Sequence, residues 1–179
     1  MAKLGSNLNS KNRIGILGGS FDPAHKGHLA ISKKAIKKFK LKKIIWAITA
    51  KNPLKKKSET SIPDRIKGCK KIIKSNNLIK IKFYEKIIKS NKTINLINYI
   101  KKNTSSEIFF LMGADSLINF HKWHKWKMIA KKCHLIVFDR YGYKKKSFNS
   151  ISFKRLKGKN LKFIEFNKVN ISSSQLRKI

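Results

Sequence analysis

Acid is what this chain has least of: 8 Asp and Glu stand against 44 Lys and Arg, a formal net charge of +36 over 179 residues. So few carboxylates argue against chemistry built on paired acids or on a carboxylate cage around a metal. The two cysteines, Cys69 and Cys133, lie far apart and outside any CxxC spacing. That excludes a disulfide framework and a zinc ribbon, and both thiols are expected to be reduced and packed. Three prolines and nine glycines leave no Pro- or Gly-rich linker, and no repeat is visible. A single domain is expected over 13–179, behind a polar segment 1–12 expected to fray. No apolar run approaches the roughly 18 residues of a membrane span, and Met1–Lys11 lacks the apolar stretch of a signal peptide. A cytoplasmic protein with no membrane partner is the expectation.

Arginine is scarce too. It supplies 5 of the 44 cations, beside 26 isoleucines and 15 asparagines. Lysine, isoleucine and asparagine share A- and T-rich codons, so the charge reads as lysine spread over every solvated face. The residue best suited to fork onto phosphate or guanine is rare. A nucleic-acid-binding protein is therefore the rival of a different class, and it requires the lysines to cluster.

What is present alternates. Short apolar runs at Arg13–Leu17, Lys43–Ile48, Glu107–Met112, His134–Phe138 and Leu161–Phe166, with a weaker run at Ile79–Phe83, read as strands. Between them Gly27–Phe39, Arg65–Lys74 and Thr93–Lys101 carry apolar residues at helical spacing. Ser116–Phe120 and Trp126–Lys131 read as short helical pieces, Phe148–Lys157 has no clear assignment, and Ile171–Ser174 caps a last helix. Strands alternating with helices predict an α/β fold with a doubly wound parallel sheet. Such sheets bind ligands beyond the carboxyl ends of the strands, where the strand order reverses. The turns at 18–28, 49–55, 113–124 and 171–177 should therefore meet.

The first of these turns is the sharpest: Gly18-Gly19-Ser20-Phe21-Asp22-Pro23-Ala24-His25-Lys26-Gly27-His28. It has neither the GxGxxG of dinucleotide sites nor the GxxxxGK[ST] of the Walker loop. Glycines allow close backbone approach to a phosphate, and two histidines three apart at a helix start add imidazole donors to free N–H groups and a positive dipole end. Alternatives are a structural role for one histidine, or a four-histidine zinc site with His121 and His124, which the glycine context disfavours.

The turn resembles the (S/T)FDPxHxGH signature of nucleotidyltransferases, and Ile171-Ser172-Ser173-Ser174-Gln175-Leu176-Arg177 resembles their ISSxxxR phosphate motif. Within that superfamily, Asn52-Pro53-Leu54-Lys55, Lys92-Thr93, and Gly113-Ala114-Asp115 followed by Phe120–Trp126 are similar to bacterial nicotinate-mononucleotide adenylyltransferases. The resemblance implies a Rossmann-like nucleotidyltransferase fold that joins ATP to nicotinate mononucleotide, giving deamido-NAD and pyrophosphate. It implies that His28 and His25 bind phosphates at the reacting centre and that Arg177 is catalytic beside them. Gly18, Gly19, Ser20, Phe21, Lys55, Asp115 and Ile171 with Ser172, Ser173 and Ser174 would hold ATP. Thr93, Trp123 and His124 would hold the nicotinate ring and its carboxylate, and Mg²⁺ would ride on phosphate oxygens with no protein ligand.

Asp115 reads equally as a cap of the helix after it, and Trp123 as a packing residue. Asp22 reads as a turn residue. Two departures stand out: the chain stops two residues after Arg177, and the third serine stands where threonine is usual. A monomer or homodimer is expected, with no specific nucleic acid as partner. The nearest rival is phosphopantetheine adenylyltransferase, which usually has threonine at position 25 and lacks the Phe-His-Lys-Trp segment.

Overall fold

The six apolar runs become six parallel strands. The computed structural model describes residues 12–50 and 60–166. Its strands are β1 (Arg13–Gly19), β2 (Lys43–Ile48), β3 (Ile79–Lys82), β4 (Glu107–Gly113), β5 (His134–Phe138) and β6 (Leu161–Ile164), in the order β3-β2-β1-β4-β5-β6. The order reverses between β1 and β4, which places the crevice of a doubly wound sheet above those two strands. The helices are α1 (Lys26–Phe39), α2 (Ile62–Ile73), α3 (Glu85–Ile88), α4 (Thr93–Asn103), α5 (Ala114–Ile118), α6 (Trp126–Lys132), α7 (Lys144–Phe148) and α8 (Ile151–Leu156), with a 3₁₀ turn at Phe120–Lys122.

Both faces of the sheet are covered, which is why its strands are apolar almost throughout. One face gathers Ile14, Ile16, Ile108, Phe110 and Val137 under α4, α5 and α6. The other gathers Leu17, Trp46, Phe109, Leu111 and Phe138 under α1 and α2. Gly15 marks where the second layer presses closest, since a Cβ there would come within 2.6 Å of Ile44 Cγ1 and 3.0 Å of Leu41 Cδ1. At the end of the sheet away from the crevice, Glu107 accepts from Arg13 Nε at 3.0 Å and lies 2.6 Å from His134 Nε2. Burial pushes the Glu107 carboxyl up, but the bonds and charges of His134 and Arg13 outweigh it and hold the group below its usual range.

The structure corrects several boundaries. β1 continues two residues past Leu17, because Gly18 and Gly19 still pair with Ala47 and Ile48 of β2. α1 begins one residue early, with His25 as its N-cap. α3 was not anticipated, being four residues with no side chain fully buried and hence no periodic signature. The unassigned stretch at 148–157 resolves into the end of α7 and all of α8, which Ser150 caps by accepting from Phe153 N at 3.2 Å. The expected fraying segment, apart from Asn12, and the expected last helix lie outside the described residues. Among the described residues no helix is long and apolar enough to cross a membrane.

Candidate active site

The two histidines of the first turn close the start of α1 on each other. His25 Nδ1 accepts from Gly27 N at 3.1 Å, and His28 Nδ1 accepts from His25 N at 3.2 Å, a reciprocal capping box built from imidazoles. A neutral ring whose Nδ1 accepts carries its proton on Nε2, so both rings are Nε2–H donors. The N–H groups expected to stay free beside both rings are instead each satisfied by an Nδ1, and this fixes the tautomer. The ring centroids are 3.8 Å apart. Burial, and then the charge of Arg140, lower His25 from 6.5 to about 4, so it is neutral at physiological pH.

Phe21 supports the pair from below. It is buried, its ring lies 4.8 Å from His28 and stacks on Trp46 at 5.0 Å. Trp46 Nε1 donates to Ser32 Oγ at 2.9 Å, and Ser32 Oγ donates to the His28 carbonyl at 2.8 Å. The left-handed residue of this turn is Phe21, with φ 51°, not either glycine. Gly18 and Gly19 are not crowded either: a Cβ would meet Phe110 at 3.4 Å or Phe21 at 3.5 Å, ordinary contact. Neither crowding nor a left-handed backbone requires glycine at these two places. Asp22 is buried and accepts from Thr60 Oγ1 at 2.7 Å, in keeping with a turn role.

Gly18 and Gly19 line a cavity of about 350 Å³ together with Thr93, Trp123 and His124. That volume is within the range of small-molecule sites. The three candidate nicotinate residues, distant from the glycines in sequence, thus share one cavity with them. Thr93 opens α4, whose first N–H groups have no intrahelical acceptor. Trp123 meets Phe120 edge-on at 5.3 Å and Phe110 at 6.0 Å, so it packs and lines the cavity at once. Trp126 packs on Phe120 away from this lining.

Two titratable lining residues outside the motifs carried no signal in the sequence. Tyr84 is one, its phenol pushed up by burial and by Tyr99. Glu85 is another: one carboxylate oxygen accepts from Thr49 Oγ1 and the other from Ala50 N at 3.1 Å. Lys92 and Lys122 add two cations to the wall.

Asp115 lies in the first turn of α5, at the carboxyl end of β4. Arg140 Nη1 donates to its Oδ2 at 2.8 Å, while Oδ1 covers Gly113, where a Cβ would meet it at 2.4 Å. The side chain makes no cap bond, so the capping alternative is set aside. Arg140 thus pairs with Asp115 and its charge also acts on His25, and sequence reasoning missed it. The one available signal was the rarity of arginine. Lys55, Ile171, Ser172, Ser173, Ser174 and Arg177 lie outside the described residues. Among the described residues no group of three or more His, Cys, Asp or Glu could hold a metal.

The Cytidylyltransferase-like family profile matches residues 16–179. A probable nicotinate-nucleotide adenylyltransferase of Pelagibacter ubique (strain HTCC1062) is 62% identical over 180 aligned positions, covering 100% of both chains. One from Agrobacterium fabrum (strain C58 / ATCC 33970) is 38% identical over 130 residues, 72% of this chain and 70% of the relative. Among solved structures, Plasmodium falciparum nicotinic acid mononucleotide adenylyltransferase complexed with NaAD superposes with a TM-score of 0.75, covering 93% of this chain and 83% of that one. At 23% identity it attests the fold.

Proposed function

The chain belongs to the nicotinate-nucleotide adenylyltransferases and to the wider cytidylyltransferase-like family, and on that footing we propose that it joins nicotinate mononucleotide to the adenylyl group of ATP at the crevice above β1 and β4. A phosphate oxygen of the mononucleotide attacks the α-phosphorus, and the bond from that phosphorus to the β-bridging oxygen breaks. The electron pair leaves with pyrophosphate. The nucleophile is already ionised at neutral pH and the leaving group is weakly basic, so no strong base or acid is required.

What the chain must supply is position and charge, and the observation that carries the reading is a placement. Gly18 and Gly19 open onto one cavity with Thr93, Trp123 and His124, beside a helix start whose own two histidines present Nε2–H groups. Neutral donors of this kind stabilise charge as it develops on the α-phosphate without a proton transfer. Ser20 and Phe21 complete the turn along the phosphates. Asp115 is assigned to a nucleotide hydroxyl, an assignment supported by the Arg140 bond that fixes its carboxylate. Arg177 and Lys55, with Ile171 and Ser172–Ser174, are assigned to the β- and γ-phosphates from the motif alone.

Magnesium fits this donor set as a guest of the triphosphate. The transfer needs no protein ligand to the ion, which would be held by phosphate oxygens and water. When bound it spreads the charge of the leaving pyrophosphate.

The cavity wall argues for the acid over the amide. Trp123 offers a face for the pyridine ring, and the opening N–H groups of α4, the Thr93 hydroxyl, and Lys92 and Lys122 are donors for a carboxylate. A carboxamide would also need an acceptor, whereas Lys92, Lys122 and the opening N–H groups of α4 only donate. Pyrophosphate release should be measured with ATP and, in turn, nicotinate mononucleotide, nicotinamide mononucleotide and phosphopantetheine. A higher kcat/KM for the nicotinate substrate is expected; preference for the amide or for phosphopantetheine would overturn the assignment.

A further inference from the structure

Arg65 is out of place for a helix of this chain. It lies on the buried face of α2, one turn before Cys69, and is 5% exposed. No carboxylate among the described residues pairs with it, and its Nε is buried without a hydrogen-bond partner. A buried, unpaired cation is costly unless its hydrogen bonds are needed. Among the described residues those bonds come from a single atom: Nη1 donates to the Ser20 carbonyl at 3.0 Å and to the Thr49 carbonyl at 2.8 Å.

The two carbonyls stand just past the carboxyl ends of β1 and β2, which pair side by side. Thr49 keeps two other anchors, because its N–H donates to Gly19 O at 2.9 Å and its hydroxyl to Glu85. Ser20 leads directly into Phe21, the left-handed residue whose ring lies under His28. A strained residue persists only where its surroundings over-determine it, and the Arg65 bond acts on the peptide that joins Ser20 to it.

We propose that Arg65 is a positioning residue for adenylyl transfer, holding the Ser20–Phe21 peptide so that the Phe21 ring seats His28 against the reacting phosphate. The inference rests on the function proposed above. It also assigns the effect to one side of the site, since Thr49 and the pyridine cavity keep their other anchors without Arg65.

The test is steady-state kinetics of wild type, Arg65→Lys and Arg65→Met with each substrate varied, alongside thermal melts. A misplaced catalytic group costs on the order of a hundredfold. Arg65→Met is therefore expected to lower kcat by about a hundredfold and Arg65→Lys by roughly tenfold, with KM for nicotinate mononucleotide within about threefold. A purely structural arginine would lower the melting temperature and leave kcat of the folded variants at the wild-type value, which would overturn the proposal. So would a loss carried by KM for the pyridine substrate alone. If the methionine variant does not fold, the lysine variant decides by the same criteria. A wild-type enzyme without turnover would instead overturn the adenylyl-transfer reading itself, and this one with it.

Discussion

His28 does two things with two nitrogens. Nδ1 helps close the start of α1, and the proton this leaves on Nε2 is the donor assigned to the α-phosphate. His28→Ala is expected to lower kcat at least about a hundredfold, the scale of losing a transition-state donor. The fold should lose no more than a cap, about 1 kcal/mol. Near-normal turnover in that variant would refute the role. His25 gives a prediction in pH. Burial and Arg140 hold it near 4, against 6.5 for an unperturbed imidazole. Between those values the unfolded chain binds a proton that the native protein refuses, so His25 makes stability rise with pH across that window. Arg140→Gln removes the second cause, and the His25 titration followed by NMR should move up toward 6.5. An unmoved midpoint would show that Arg140 does not act on it.

At the scale of elements, β1 is a central strand that carries the first turn of the site. It pairs on both sides and ends in the two open glycines. Gly15 lies in its middle under Ile44 and Leu41, so Gly15→Ala should overpack this layer and cost about 1–3 kcal/mol. A melting temperature equal to wild type would contradict that crowding. At the opposite end of the sheet the lowered Glu107 carboxyl contributes stability above its unfolded value of 4.5 that is lost as pH falls through its folded value. Glu107→Gln should therefore flatten the acid limb of the stability profile, measured by melts between pH 3 and 6. The strands were legible because burial on both faces makes their apolar runs continuous. The capping box was not: its bonds need the backbone path from Gly19 to Lys26, with a left-handed phenylalanine that no propensity favours. α3 was invisible for the opposite reason, being too short and too exposed to leave a period.

Across the whole molecule the charge of +36 is an atmosphere more than a site. Lysines near the cavity, such as Lys92 and Lys122, favour anionic substrates, but nothing in their spacing reads a base sequence. In filter-binding assays any retention of nucleic acid should be sequence-blind and should fall steeply between low and physiological salt. Tight, sequence-dependent binding at physiological salt would favour the rival reading.

The residues alone determined the alternation of strand and helix, hence the parallel sheet, and the motif that marks a phosphate-binding turn. Each is local: a run, a period, a spacing. Folding decided which turns meet. Thr93, Trp123 and His124 reach Gly18 and Gly19 because β1 and β4 are neighbours where the strand order reverses. Folding also decided where charges stand, pairing Arg140 with Asp115 within reach of His25's titration and burying Arg65 across two strand ends. An arginine written in a line of lysines shows its rarity, but the carbonyls it holds are brought to it from 45 and 16 residues away by the sheet.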